Sequence, residues 1–305
     1  SVTLPEILRE LNLADADALY LGLGNGKITL AQVAGAVQRQ APERGPTKPR
    51  MVTSYKDYQR WFGGVFGESK FMPYAINGFF ENGGKRLYVC RLVGENATSA
   101  EASFGPFLVR AVGAGSWGRK VWALITDGTT KRPDATGTPQ PVGFRLRLAF
   151  WSSPLPDFQP FDPVAEPLRK PRPTLVEDFD DLSTDPGSPD YYEKRLRDSS
   201  ALATLVRVSP EPENARPANG SQALDNEGAD DNDPLNVVDF KGELVPGTPR
   251  AELQGLAALE LDPYRDVSLV YAPDADVDIA KAVIEHCERL RFRFAAIDGD
   301  KGASN

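Results

Sequence analysis

Gly113-Ala-Gly115-Ser-Trp-Gly118 has the glycine spacing of a dinucleotide-binding turn. That chemistry needs a helix directly after the glycines, so that its first amides meet the pyrophosphate. Residues 119–126 (RKVWALIT) are instead β-branched and aromatic, and no acid closes a second strand about 20 residues further on. The spacing predicts a tight hairpin turn. The same glycines frame Ser116 in the manner of a hydrolase nucleophile elbow, with His286 placed late in the chain as its base. An elbow turns from strand to helix, whereas His286 falls inside the helical pattern of residues 276–290, between apolar Val283–Ile284 and Cys287. The position predicts a helical histidine satisfied by a neighbouring group.

Paired carboxylates, which can hold calcium or act as acid and base, occur in the runs 177–181 and 225–233. The second lacks the glycine-at-six, glutamate-at-twelve spacing of an EF-hand loop, and both read as solvated faces. Lys85–Arg86 and the basic run 289–293 read as strand and helix edges, since Leu290 and Phe292 interrupt the latter. Cys90 and Cys287 each sit in an apolar run and read as buried free thiols in a reducing compartment. One histidine and two cysteines are too few for an all-Cys/His zinc site or a disulfide framework. A net charge of −8 argues against nucleic acid as the main partner. No apolar stretch is long enough to span a membrane, and residues 1–16 lack the basic start of a signal peptide.

The elements that would hold these residues follow from periodicity and turn chemistry. Residues 4–12 and 28–40 read as amphipathic helices around a joint at Gly22, Gly24 and Gly26. Tyr55, Tyr58 and Phe62 share a helical face that Gly63–Gly64 ends, and residues 71–81 form a second helix stopped by Asn82-Gly83-Gly84. Residues 87–93 (LYVCRLV) read as a buried strand. Strands at 107–112, 120–126 and 142–151 alternate between Gly/Pro turns. Twelve of the 26 prolines lie between Pro133 and Pro189, which predicts a loop-rich β unit. A helix over 190–202 and a short strand at 205–208 leave that unit. Residues 211–234, with Leu224 their only aliphatic side chain beyond alanine and proline, read as an exposed mobile loop. A helix (251–260), a buried strand (267–272), a helix (276–290) and a strand (292–297) then return to an α/β layer. The fold class expected is α+β or α/β: an α/β core of residues 34–92 plus 235–305, interrupted by a sandwich-like or barrel-like β insertion over 93–210.

One ordered run of motifs is far more specific. Val52-Thr-Ser-Tyr55-Lys-Asp-Tyr58 leads to Phe62-Gly-Gly64, then to Pro73-Tyr-Ala-Ile-Asn-Gly-Phe-Phe-Glu-Asn-Gly-Gly84 and Leu87-Tyr-Val-Cys-Arg91. Gly115-Ser-Trp-Gly118, Val176-Glu-Asp-Phe-Asp-Asp-Leu-Ser183, Ser188-Pro-Asp-Tyr191, Gly255-Leu-Ala-Ala-Leu-Glu260 and residues 280–298 follow in order. This pattern resembles the tail sheath proteins of contractile phage tails and contractile injection systems, over roughly residues 34–300.

The resemblance implies a structural subunit with no catalytic, cofactor or metal site. Copies would polymerise as stacked hexameric rings around an inner tube, and contraction would drive that tube through a target envelope. Neighbours would be linked by extended arms that add strands to a sheet edge. The implied partners are further copies, the inner tail tube protein, and baseplate and tail terminator proteins, without nucleic acid or direct membrane insertion. The implied location is a virion tail assembled in the host cytoplasm, or a cytoplasmic injection particle. Residues 1–33 do not match the family's extended arm, and the family pattern continues beyond the last strand here, so the core is expected to be incomplete at Asn305. Two other readings stand beside it: a non-contractile adaptor with a sheath fold, and a Ser116-dependent hydrolase.

Overall fold

The computed structural model describes residues 43–64, 71–94, 96–152, 158–208, 215–225, 235–242, 253–273 and 275–299. The helices expected over 4–12 and 28–40 lie outside the described residues, as does most of the acidic run 225–233. The fold is α+β, with helices and several small sheets. It divides into two compact units, one holding residues 98–229 with Arg44, the other residues 45–97 and 230–305.

The first unit is β-rich because its strands alternate. Strands β3 (Glu101–Phe104), β4 (Phe107–Ala111) and β10 (Ala203–Arg207) form an antiparallel sheet in the order β10-β4-β3. A second sheet runs β11-β5-β8-β9, from Gly220–Ala223, Val121–Asp127, Phe144–Phe150 and Leu175–Leu182. A bridge between Glu101 and Asp225 joins the two sheets along β3 and β11, closing one corner of a sandwich. The period of two sends Phe107, Val109, Ile125, Phe144, Leu146 and Leu148 into one core, while Arg145 and Arg147 face outward. A short ribbon, β6 (Lys131–Pro133) with β7 (Pro139–Pro141), carries three of the prolines on exposed strands, where a missing ladder donor costs little. Helix α3 (Tyr192–Ser199) packs Tyr192 and Leu196 onto the core.

Two expectations change here. Residues 211–234 are not wholly a loop: β11 lies inside them and pairs with β5, from Gly220 opposite Ile125 to Ala223 opposite Trp122. Leu224, 1 % exposed, anchors it in the core. The acids of residues 177–181 are not a solvated face either, because β9 passes through them. Glu177 points inward, Asp178 meets Arg145 and Arg147, and Asp180 and Asp181 accept from the amides of Thr129 and Thr130, each at 3.0 Å. Asp181 has φ 53° at a break in the β8–β9 register, so one extra residue fits without turning Leu182 out of the core.

In the second unit, β1 (Arg50–Val52) pairs antiparallel with β2 (Leu87–Val89). The buried strand expected over 87–93 is therefore a three-residue strand of a two-stranded ribbon, with Leu87 and Tyr88 half-buried. Helix α1 (Tyr55–Phe62) is capped by Ser54, whose hydroxyl accepts from the Asp57 amide at 3.1 Å, while the Asp57 carboxylate accepts from the Thr53 amide. Gly63 stops it at φ 92°. Tyr58, Trp61 and Phe62 are its buried face, and the Arg50 guanidinium lies 3.7 Å over the Trp61 ring. Helix α2 (Met72–Glu81) starts with Pro73 and ends where the Asn82 side chain donates to Gly78 O. Gly84 lies flat on Phe79, so close that a Cβ would come within 2.3 Å of that ring. The turn letters of this run are thus caps and close approaches rather than reactive groups. Helices α4 (Val237–Lys241) and α5 (Gly255–Leu259) follow, the first held by a capping box between Asn236 and Asp239.

Candidate functional site

The segment with unsatisfied surface begins at β12 (Leu269–Tyr271), which runs parallel to β13 (Phe294–Ala296) through helix α6 (Val277–Leu290). Asp276 caps α6 by accepting from the amides of Asp278 and Ile279. Ile279, Ala282, Val283, His286 and Cys287 recur at helical spacing and form its buried face. Val270, with Ala295 opposite it, packs under that helix beside Leu256 and Leu259.

The other face of this sheet is open. Leu269 pairs with Phe294, and the two are 59 % and 77 % exposed. Tyr271 and Phe292, two residues from Leu269 and Phe294, are also exposed, and so is Ile297 just past β13. Parallel strands are normally covered on both faces and continue into wider sheets. Among the described residues this one has two strands, so each strand has one edge unpaired. The strand expected to be buried at 267–272 is Leu269–Tyr271 with Val270 alone buried, and the strand expected at 292–297 is Phe294–Ala296 with Phe294 exposed. Large apolar groups on an open sheet face with free edges mark a surface that another element completes.

Arg293 occupies the place where alternation predicts an apolar side chain. It is 5 % exposed, between the exposed rings of Phe292 and Phe294. Its guanidinium donates to the carbonyls of Val267 at 3.0 Å, Leu259 at 2.8 Å and Tyr264 at 2.7 Å. Those oxygens lie at the end of α5, in the 3-10 turn Asp262–Tyr264 and ahead of β12, and the Tyr264 carbonyl also accepts from the Val267 amide at 3.1 Å. The planar fork reaches all three at once, which an apolar residue could not do. Its remaining nitrogen, Nη1, lies 2.9 Å from His286 Nε2. Since guanidinium only donates, Nε2 accepts and the imidazole proton sits on Nδ1. Nδ1 is 3.5 Å from Glu260 Oε1, too long for a good hydrogen bond. Glu260 is already held by Arg289, through contacts of 2.9 and 2.5 Å. Burial first, and the Arg293 charge second, hold the His286 imidazole below its usual range.

The other candidates resolve into structural roles. Gly115 (φ 124°) leads into a 3-10 turn, Ser116–Lys120, which contains Gly118 and runs into strand β5, so no α-helix N-terminus follows the glycines. A Cβ on Gly118 would lie 2.7 Å from that of Ala100, and Trp117 is buried with its indole donating to Ala114 O. Ser116 opens that turn rather than a strand-to-helix elbow, and His286 has its basic nitrogen engaged by Arg293. Burial pushes the Cys90 thiol up to about 12 and raises that of Cys287, so both stay protonated near neutral pH. Arg86 pairs with Asp266, and Arg291 ends α6 at φ 63°. Among the described residues no group of three or more His, Cys, Asp or Glu could hold a metal, and no helix is long and apolar enough to cross a membrane. Sequence reasoning missed Arg293 as a buried staple. The available signal was its position between two phenylalanines, which places either the arginine or the rings on the wrong face.

No protein-family model and no curated protein matches the chain. Among solved structures, the sheath tail protein of Desulfitobacterium hafniense aligns with 84 % of this chain at 13 % identity and a TM-score of 0.37. The sheath tail protein of Listeria innocua aligns with 82 % at 10 % identity and a TM-score of 0.39. The alignments cover 46 % and 43 % of those proteins, so the chain spans less than half the length of either.

Proposed function

We propose that this chain is a structural subunit of a contractile tail sheath, and that the open face and edges of the β12–β13 sheet are where neighbouring copies join it. The observation that carries the reading is that sheet: a parallel pair covered by α6 on one side, with Leu269 and Phe294 exposed on the other. It lies within the ordered motif run that resembles sheath proteins, and the remaining motifs act as caps, turns and core contacts. In this reading an arm from a further copy adds a strand beside β12 or β13 and covers the apolar face. Repetition builds stacked six-membered rings around an inner tube, bounded by baseplate and terminator proteins. Contraction of such a polymer in a virion tail or injection particle requires two packings of comparable stability.

Substitution of the exposed face tests the reading without disturbing the core. Leu269→Lys and Phe294→Lys are each expected to shift folding stability by no more than about 0.5 kcal/mol, as for other exposed sites. Together they are expected to abolish polymer in sedimentation and electron microscopy of the full-length protein. Tubes or rings formed by the folded double variant as readily as by the parent would contradict the assignment. Binding of a tube protein as a monomer, without polymer from the parent, would instead favour a non-contractile adaptor.

A further inference from the structure

We propose that His286 and Arg293 form an acid-released latch beneath the β12–β13 sheet, in which neutral His286 holds Arg293 on its three carbonyls and protonated His286 lets β13 go. The proposal rests on the reading of that sheet as the joining surface and adds a regulatory input to it.

The geometry allows only one of the two protonation states. His286 is 2 % exposed, and its Nε2 accepts from Arg293 Nη1 at 2.9 Å. A proton on Nε2 would turn that hydrogen bond into two donors facing one another at the same distance. It would also set a second positive charge beside the guanidinium in a place from which water is excluded. The charged groups around the ring offer little compensation. Glu260, after α5, is the nearby carboxylate, and Arg289 on α6 already engages both of its oxygens. Asp266 acts on Arg293 from the loop before β12, and Cys287 adjoins on α6 as a neutral thiol. Three cations, Arg289, Arg293 and a protonated His286, would then share Glu260 at close range.

Arg293 is the group that can move. It immediately precedes β13, and the Phe294 amide makes the first bond of the parallel pair, to Ser268 O at 2.8 Å. Withdrawal of the guanidinium takes the arginine donors from the carbonyls of Leu259, Val267 and Tyr264, the last of which keeps the Val267 amide, and frees the start of β13. The sign follows from the imidazole being held below its usual range. The unfolded chain binds the proton more readily, so the latch is intact above the ordinary histidine value, about 6.5, and is lost as pH falls through the lower folded value.

His286 is the single histidine in the sequence, so its ring resonances in an NMR titration need no assignment. The expected result is a midpoint below about 6.5. Amide protection factors for residues 267–271 and 294–296 should fall about tenfold or more between about pH 7.5 and pH 5, in step with that titration. In His286→Gln, whose side-chain oxygen can still accept from Arg293, protection should no longer depend on pH over that range. An ordinary midpoint in the parent, or protection there that does not change with pH, would overturn the latch. Equal acid loss in parent and His286→Gln would also overturn it. These measurements do not need polymer. A pH-dependent loss of protection in a protein that forms no tubes at any pH would keep the latch and remove the joining role, whereas tubes with pH-independent protection would do the reverse.

Discussion

Glu177→Ala is expected to destabilise the β unit by about 3–5 kcal/mol, the range for removing one member of a buried charge pair. Glu177 is 6 % exposed, on the inward face of β9. Its carboxylate accepts from the Ser200 hydroxyl at 2.7 Å and from the Ala201 amide at 2.9 Å, which fastens the end of α3 to the second sheet. Its charge also opposes that of Arg44, whose guanidinium is buried 4.9 Å over the Phe150 ring. Burial lowers Arg44 to about 10, so it remains charged at neutral pH, and the Glu177 charge favours that form. Alanine would take a carboxylate charge away from that cation and leave the Ser200 hydroxyl and the Ala201 amide without their acceptor. Urea unfolding followed through Trp117 and Trp151 measures the loss. Replacing both partners, in Arg44→Met with Glu177→Leu, should recover the share owed to the buried charges, while Ser200 and Ala201 stay without their acceptor. A loss under about 1 kcal/mol for Glu177→Ala would show that the pair is solvated.

Arg293→Met should cost about 2–4 kcal/mol in the unit of residues 45–97 and 230–305, because a side chain of similar length takes the arginine donors from the carbonyls of Leu259, Val267 and Tyr264, the last of which keeps only the Val267 amide. Arg293→Lys should recover only part of this, since a single ammonium cannot present the fork that reaches Val267, Leu259 and Tyr264 together. Hydrogen exchange of residues 267–271 and 294–296 locates the damage at the sheet. Equal stability of the methionine variant and the parent would mean that the carbonyls are already wet, and would remove the staple from the account.

The parts of this fold that were legible in the sequence are those decided locally. Helix α1 was readable to the residue because Ser54 and Gly63 bound it, and α6 because Asp276 caps a clean apolar stripe. Strands β5 and β8 followed from alternation. Pairing decided the rest. Gly-Ser-Gln-Ala, residues 220–223, has no apolar pattern and is a strand because β5 offers it an edge. Strand β9 was masked by its acids: Glu177 alternates inward with Phe179, and the partners that make this tolerable, Arg44 and Ser200, are distant in sequence. The strands flanking α6 were readable as strands but not as one-sided. Their apolar residues suggest burial on both faces, and only the register shows that Phe292 and Phe294 stay outside while Arg293 goes in. The motif run behaves in the same way. Its letters are legible, and the structure supplies the reason for several of them in caps and close approaches, while the surface that would join subunits is made by what remains uncovered.

Electron microscopy of the full-length protein, alone and with an inner tube protein, tests the central claim most directly. The account predicts six-membered rings that stack into tubes, with density for an added strand along the β12–β13 sheet. A protein that remains monomeric with its terminal arms present, at every concentration and with the tube supplied, would contradict it.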